Sequence, residues 1–163
     1  MGLRKKRRMR LRLFVSYAHE DGKYLETLRN YLELLRTEGL IEVWTDKDIV
    51  PGKQWDEEMR RELDISQIVV FLVSTLSLGS KYIRRVEVTS AKRRHRGGKA
   101  VVVPVILEQS SWEKTWRKFQ VLPEGGRPVR AFGRRDVAWH TVELGLRKVI
   151  DGFLIKCDGA NES

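Results

Sequence analysis

The run Ile68-Val69-Val70-Phe71-Leu72-Val73 constrains the fold more than any other segment. Its apolar residues do not alternate with polar ones, so both faces of the strand must be covered. Such a strand belongs in the interior of a sheet with helices on each side. Leu11 to Ser16, Leu40 to Trp44 and Ala100 to Leu107 read as further strands, with Pro104 marking the last as interrupted or near an edge. Helical patterns lie between them. Asp21 to Glu38 carries Leu25, Leu28, Leu32 and Leu35 on one face and is closed by Gly39. Trp55, Met59 and Leu63 form the buried stripe of a second helix, with Asp56, Glu57 and Glu58 in its first turn. Lys81 to Arg96 reads as a third, ending in cations and Gly97-Gly98. Ser110 to Gly126 is less regular, with a short amphipathic turn around Trp112, Trp116 and Phe119. Pro128 to Phe132 reads as a short fifth strand at an edge, and Val142, Leu146, Val149, Ile150 and Phe153 mark a final helix.

This alternation predicts an α/β fold: a flavodoxin-like, five-stranded parallel sheet of order 2-1-3-4-5 with helices on both faces. At 163 residues the chain is about one domain. We read residues 11–153 as that domain, 1–10 as a basic disordered tail and 154–163 as a frayed C-terminus. In open sheets of this kind ligands bind beyond the carboxyl ends of the strands, where the strand order reverses. The segments that begin at Ser16, Thr45 and Ser74 all leave the sheet at that edge, so they are read together as a site.

Charge bears on partners. The net charge is +10, and Arg4, Lys5, Lys6, Arg7, Arg8, Arg10 and Arg12 supply seven of the positive charges. A tail of this kind can bind nucleic acid, acidic lipid or an acidic protein partner, or simply be solvated. No apolar run approaches the roughly 20 residues of a membrane span, and no apolar segment follows the basic start as in a secretory signal. One cysteine, Cys157, cannot form an internal disulfide, so a reducing, cytoplasmic location is expected.

The familiar catalytic signatures are missing. There is no G-x-G-x-x-G after a strand and no G-x-x-x-x-G-K-[ST], so neither phosphate cradle is present. His19, His95 and His140 are scattered and have no ligand-spaced partner, so no metal site is expected. A phosphoacceptor domain of this architecture would need an aspartate at the end of the third strand, where this chain has Val73-Ser74. No His-Asp arrangement accompanies a serine or cysteine nucleophile. What stands out is Glu87. It shares a helix face with Ile83 and Ala91, so it is either paired with Arg84 or Arg85 or belongs to a site.

Here the chain resembles a known family. Ser16-Tyr17 with the acidic residues after it, the loop Trp44 to Trp55 with Pro51-Gly52, and Ser80-x-Tyr82-x-x-x-x-Glu87 are similar to a bacterial TIR domain, the Toll/interleukin-receptor fold. Pro104-Val105-Ile106-Leu107, Trp112 and Leu122-Pro123 extend the resemblance, which runs from about Leu11 to Ile150. Many members carry a tryptophan four residues before the glutamate, where this chain has Ile83, with Tyr82 one residue earlier. The resemblance implies cleavage of NAD+ with release of nicotinamide, in prokaryotic defence or signalling, with Glu87 as the catalytic carboxylate. NAD would be the substrate, with no separate cofactor. Nicotinamide leaves as a neutral molecule from a cationic ribosyl group. A fixed anion that stabilises an oxocarbenium-like transition state would therefore suffice. Phe14, Ser16, Tyr17, Trp44, Asp46, Ser74 and Tyr82 are the expected substrate-binding residues; the aromatic ones would stack on a base or fill the core. Family members act when assembled, which makes Ile49, Val50, Pro51 and Gly52 candidates for a loop that contacts another copy, head to tail, in a filament. Two other readings are a TIR scaffold without activity and an N-ribosyl or deoxyribosyl transferase acting on nucleosides.

Overall fold

The computed structural model describes residues 10–160. Four strands, β1 (Leu11–Ser16), β2 (Ile41–Trp44), β3 (Ile68–Val73) and β4 (Val101–Ile106), form one parallel sheet of order β2-β1-β3-β4. Six α-helical segments accompany it: α1 (Gly22–Thr37), α2 (Trp55–Ile65), α3 (Thr75–Gly79), α4 (Thr89–Arg96), α5 (Glu113–Trp116) and α6 (Arg135–Ala160).

The apolar run that dominates the sequence is β3, and all of its side chains are buried. Strand residues alternate between faces. Ile68, Val70 and Leu72 therefore join Leu25, Leu28, Leu32 and Leu35 of α1 and Trp139, Val142, Leu146 and Ile150 of α6 on one side. Val69, Phe71 and Val73 join Met59 and Leu63 of α2, Ala91 of α4 and Trp116 of α5 on the other. Each fully buried Val, Leu, Ile or Phe contributes about 1.5–3 kcal/mol, so β3 anchors both layers. Gly39, at φ 77°, ends α1 in the left-handed conformation that a side chain disfavours. Gly145 lets α6 approach closely, because a Cβ there would lie 2.5 Å from Leu122.

The expected fifth strand does not form. Pro128 brings no N–H to a ladder, and the bonds from Ala131 N to Pro128 O and from Phe132 N to Val129 O curl the segment into a 3-10 turn, Val129–Ala131. Beside β4 there is instead a single bridge, Val105 to Leu122. Strand β4 is thus an edge strand, which is how the sheet tolerates Pro104. At the C-terminus α6 continues through to Ala160, and residues 161–163 of the segment read as frayed lie outside the described residues.

Most of the basic tail, residues 1–9, lies outside the described residues, and with it the proposed contact with nucleic acid or an acidic partner. Arg12, counted with that tail, is part of the fold: it sits in β1 and pairs with Glu62 at 2.7 Å and Glu42 at 3.5 Å. Among the described residues no helix is long and apolar enough to cross a membrane.

Candidate functional site

Strands β1 and β3 are neighbours, while the chain leaves them in opposite directions toward β2 and β4. Beyond their carboxyl ends lies a cleft of about 490 Å³. One wall comes from Tyr17 to Glu20 after β1 and Asp46 after β2; the other comes from Thr75, Leu76, Gly79, Ser80, Tyr82 and Ile83, with Trp55 and Met59 of α2 and Glu87 completing it. This is where a doubly wound sheet holds its ligands.

Glu87 reaches the cleft through an irregular helix. Residues Ile83–Val88 form a π-helical segment that runs directly into α4. The wider turn is echoed by Thr89 Oγ1, which donates to Arg84 O five residues back at 3.1 Å. Such segments often occur at functional sites, because they re-aim side chains without ending the helix. Ile83, Glu87 and Ala91 share the buried face, as their spacing predicts. The alternative pairing with Arg84 or Arg85 is not made: among the described residues no ion pair involves Glu87.

Glu87 is only 3% exposed, and its Oε1 has no hydrogen-bond partner. Burial raises its pKa from 4.5 to about 7. Ser16, close by, pulls in the opposite direction, and the negative charge of Asp46 adds to the rise. Ser16 Oγ is itself buried without a well-formed hydrogen bond, so its hold on the carboxyl is weak. A buried carboxyl with an unused oxygen at the floor of a cleft is costly to keep. Here that cost is associated with a group poised between its two protonation states near neutral pH.

Two tyrosines flank it. The Tyr17 hydroxyl donates to Asp46 Oδ1 at 2.6 Å, and that of Tyr82 donates to Asp56 Oδ1 at 2.7 Å. Burial first, and then the carboxylate partner, push both phenols well above their ordinary value, so both stay protonated donors. Asp46 is held in place by its own turn: Thr45 N donates to Asp48 Oδ2 at 2.9 Å and Lys47 N to Thr45 Oγ1 at 3.2 Å.

Of the expected binding residues, Tyr17, Asp46 and Tyr82 line the cleft with Glu87, and Ser16 stands behind it. Phe14 and Trp44 do not line it. They face each other across adjacent strands with ring centroids 5.3 Å apart and are buried in the core below α2. Ser74 is also structural: its Oγ accepts from Ser77 N, capping α3, and donates to the buried Asp21 at 2.5 Å. Burial raises the pKa of Asp21, while the Ser74 bond opposes that rise.

Trp55 corrects a further expectation. Placed in the buried stripe of α2, it is 46% exposed and packs at 4.5 Å on Tyr82. It is the first residue of α2, and side chains there lean toward the helix N-terminus, off the sheet and over the cleft. The sequence offered one clue, since Trp55 closes the same loop that emerges at the binding edge. In that loop Ile49 packs partly against the core, while Val50 is 62% exposed beside Pro51 and Gly52, the latter at φ 90°.

The parallel sheet flanked by helices is in accord with the comparisons with known proteins. A family model for the TIR domain matches residues 13–134, and the chain belongs to that family. A curated relative, the uncharacterized protein y4lF of Sinorhizobium fredii (strain NBRC 101917 / NGR234), is 29% identical over 137 residues, 83% of this chain. The chain spans 42% of that relative's length. Among solved structures, the TIR domains of the activated Roq1 resistosome, which directly recognizes the pathogen effector XopQ, are similar in fold. The TM-score is 0.51 and identity 22%, covering 88% of this chain and 77% of that one. The TIR domain of the Toll-related receptor TRR-2 from Hydra magnipapillata is 16% identical, covering 83% of this chain and 97% of that one, with a TM-score of 0.49.

Proposed function

We propose that this chain is an NAD+ nucleosidase that breaks the nicotinamide–ribose bond and yields nicotinamide with ADP-ribose or a cyclic ADP-ribose product, within prokaryotic defence or signalling. The observation that carries this reading is Glu87: a buried carboxyl with one oxygen unpartnered, on the floor of a cleft at the ligand edge of the sheet. The reaction needs little else. As the bond to nicotinamide stretches, positive charge grows on C1′ of the ribose, and a fixed anion in a poorly solvated site stabilises it. Glu87 is about half ionised at neutral pH. A cationic substrate beside it favours the charged form and draws its proton off. Trp55 and Tyr82 form an aromatic wall for a planar base, with Tyr82 fixed by its bond to Asp56. Asp46, oriented by Tyr17, lies within electrostatic reach of Glu87 and can accept from a ribose hydroxyl.

We extend the proposal to assembly. Val50, Pro51 and Gly52 project from the loop before α2, and their exposure suits a contact with a second copy of the chain that promotes activity.

The test is to incubate concentrated protein with NAD and follow products by chromatography. Nicotinamide should appear in step with ADP-ribose or its cyclised form, with specific activity rising with protein concentration. Intact NAD at every concentration would contradict the proposal and favour a binding scaffold. Turnover of other nucleosides without NAD would favour a ribosyl transferase.

A further inference from the structure

The charge of the cleft bears on which part of a substrate it recognises. The chain carries a net charge of +10, yet the cleft is lined by three carboxylates, Glu20, Asp46 and Glu87, and by no lysine or arginine among the described residues. Arg29 and Arg60, whose charges reach Tyr17 and Tyr82, are committed elsewhere: Arg29 pairs with Asp48 at 2.9 Å and Arg60 with Asp56 at 3.1 Å.

Part of the backbone at this edge is committed as well. A phosphate in a doubly wound fold ordinarily rests on free N–H groups where a helix begins after a strand. After β3, Thr75 N already donates to the Glu108 carboxylate at 3.0 Å and Ser77 N to Ser74 Oγ at 3.1 Å. After β1, Asp21 N donates to Ala18 O at 2.8 Å. The Glu108 carboxylate of the chain itself therefore takes one of the N–H groups that a phosphate would use after β3.

We propose that the cleft recognises the cationic nicotinamide–ribosyl group and not the diphosphate, so that the phosphate-free nucleoside, nicotinamide riboside, is a substrate as good as the dinucleotide. This rests on the nucleosidase reading and narrows it. The riboside carries one positive charge, whereas NAD combines one pyridinium with two phosphate charges. An acidic wall attracts the first and repels the outer half of the second. Hydrolysis of the riboside breaks the bond between C1′ and the pyridinium nitrogen. The electron pair leaves with neutral nicotinamide, water adds its oxygen to C1′, and the proton it loses passes to solvent, giving nicotinamide and ribose.

The experiment compares kcat/KM for nicotinamide riboside, nicotinamide mononucleotide and NAD with the wild-type protein at equal ionic strength. The riboside should be turned over at least within about threefold of NAD, with the mononucleotide no better than the riboside. Added salt should lower the efficiency for the riboside and not that for NAD. Glu20→Gln, at the exposed rim, should reduce the riboside-to-NAD ratio severalfold. If NAD is cleaved and the riboside is about a hundredfold poorer, phosphate recognition is essential and this inference falls while the nucleosidase reading stands. Turnover of neither would overturn both.

Discussion

Replacing Glu87 with glutamine should make the protein more stable at the pH where it makes it inactive. An ordinary glutamate titrates at 4.5, and Glu87 in the folded chain at about 7. Between those values the folded state holds a proton that the unfolded state has released, so stability falls as pH rises through that window. At 1.36 kcal/mol per pH unit, the loss reaches about 3 kcal/mol above pH 7 and is mostly absent at pH 5. Glutamine never ionises, so Glu87→Gln escapes the loss. About 3 kcal/mol is a ceiling on its gain, since a buried amide also wants partners. For a domain of this size each kcal/mol corresponds to roughly 2–4 °C in Tm. The assay is urea unfolding of both proteins at pH 5 and pH 8, with m-values checked for equality. The variant should match the wild type at pH 5 and exceed it at pH 8. A variant less stable than wild type at pH 8 would show a paired carboxylate and refute the argument, as would a difference that does not change with pH.

Three further outcomes follow from the same geometry. The proposed mechanism uses the Glu87 anion, so kcat/KM for NAD should rise between pH 6 and 8 with an apparent pKa near 7 and level off above; a profile that falls across that range would contradict the assignment. Val50→Asp places a charge on an exposed loop residue, so the monomer should stay folded while self-association, measured by light scattering, and specific activity fall together. Phe14→Ala should cost about 3–5 kcal/mol in chemical denaturation, as for any large buried aromatic, since its ring is fully enclosed against Trp44.

The parts of this fold that could be read from the sequence are those set by repeated local patterns. Strand β3 has no polar residue to turn outward, and Leu25, Leu28, Leu32 and Leu35 of α1 keep to one buried face. Pro128 to Phe132 is apolar enough for an edge strand, but its turn is decided by which backbone groups find partners. The site divides the same way. Glu87, Tyr17, Asp46 and Tyr82 meet because topology brings three strand ends together. Which face an aromatic presents depends on packing: Phe14 and Trp44 fill a gap beneath α2, while Trp55, at the first turn of that helix, is left over the cleft. The π-helical turn had no signal in the spacing, since Ile83, Glu87 and Ala91 fit an ordinary helix equally well.

The central claim is that one buried carboxylate carries the chemistry, and nicotinamide release from NAD by wild-type protein and Glu87→Gln at pH 8 tests it most directly. Both proteins would be assayed at the same high concentration after their folded state has been verified. The wild type should release nicotinamide, and the variant should be slower by about two to three orders of magnitude or more, as expected when the main electrostatic stabiliser of a transition state is removed. Equal release by the two proteins would place the reacting charge elsewhere and contradict the account.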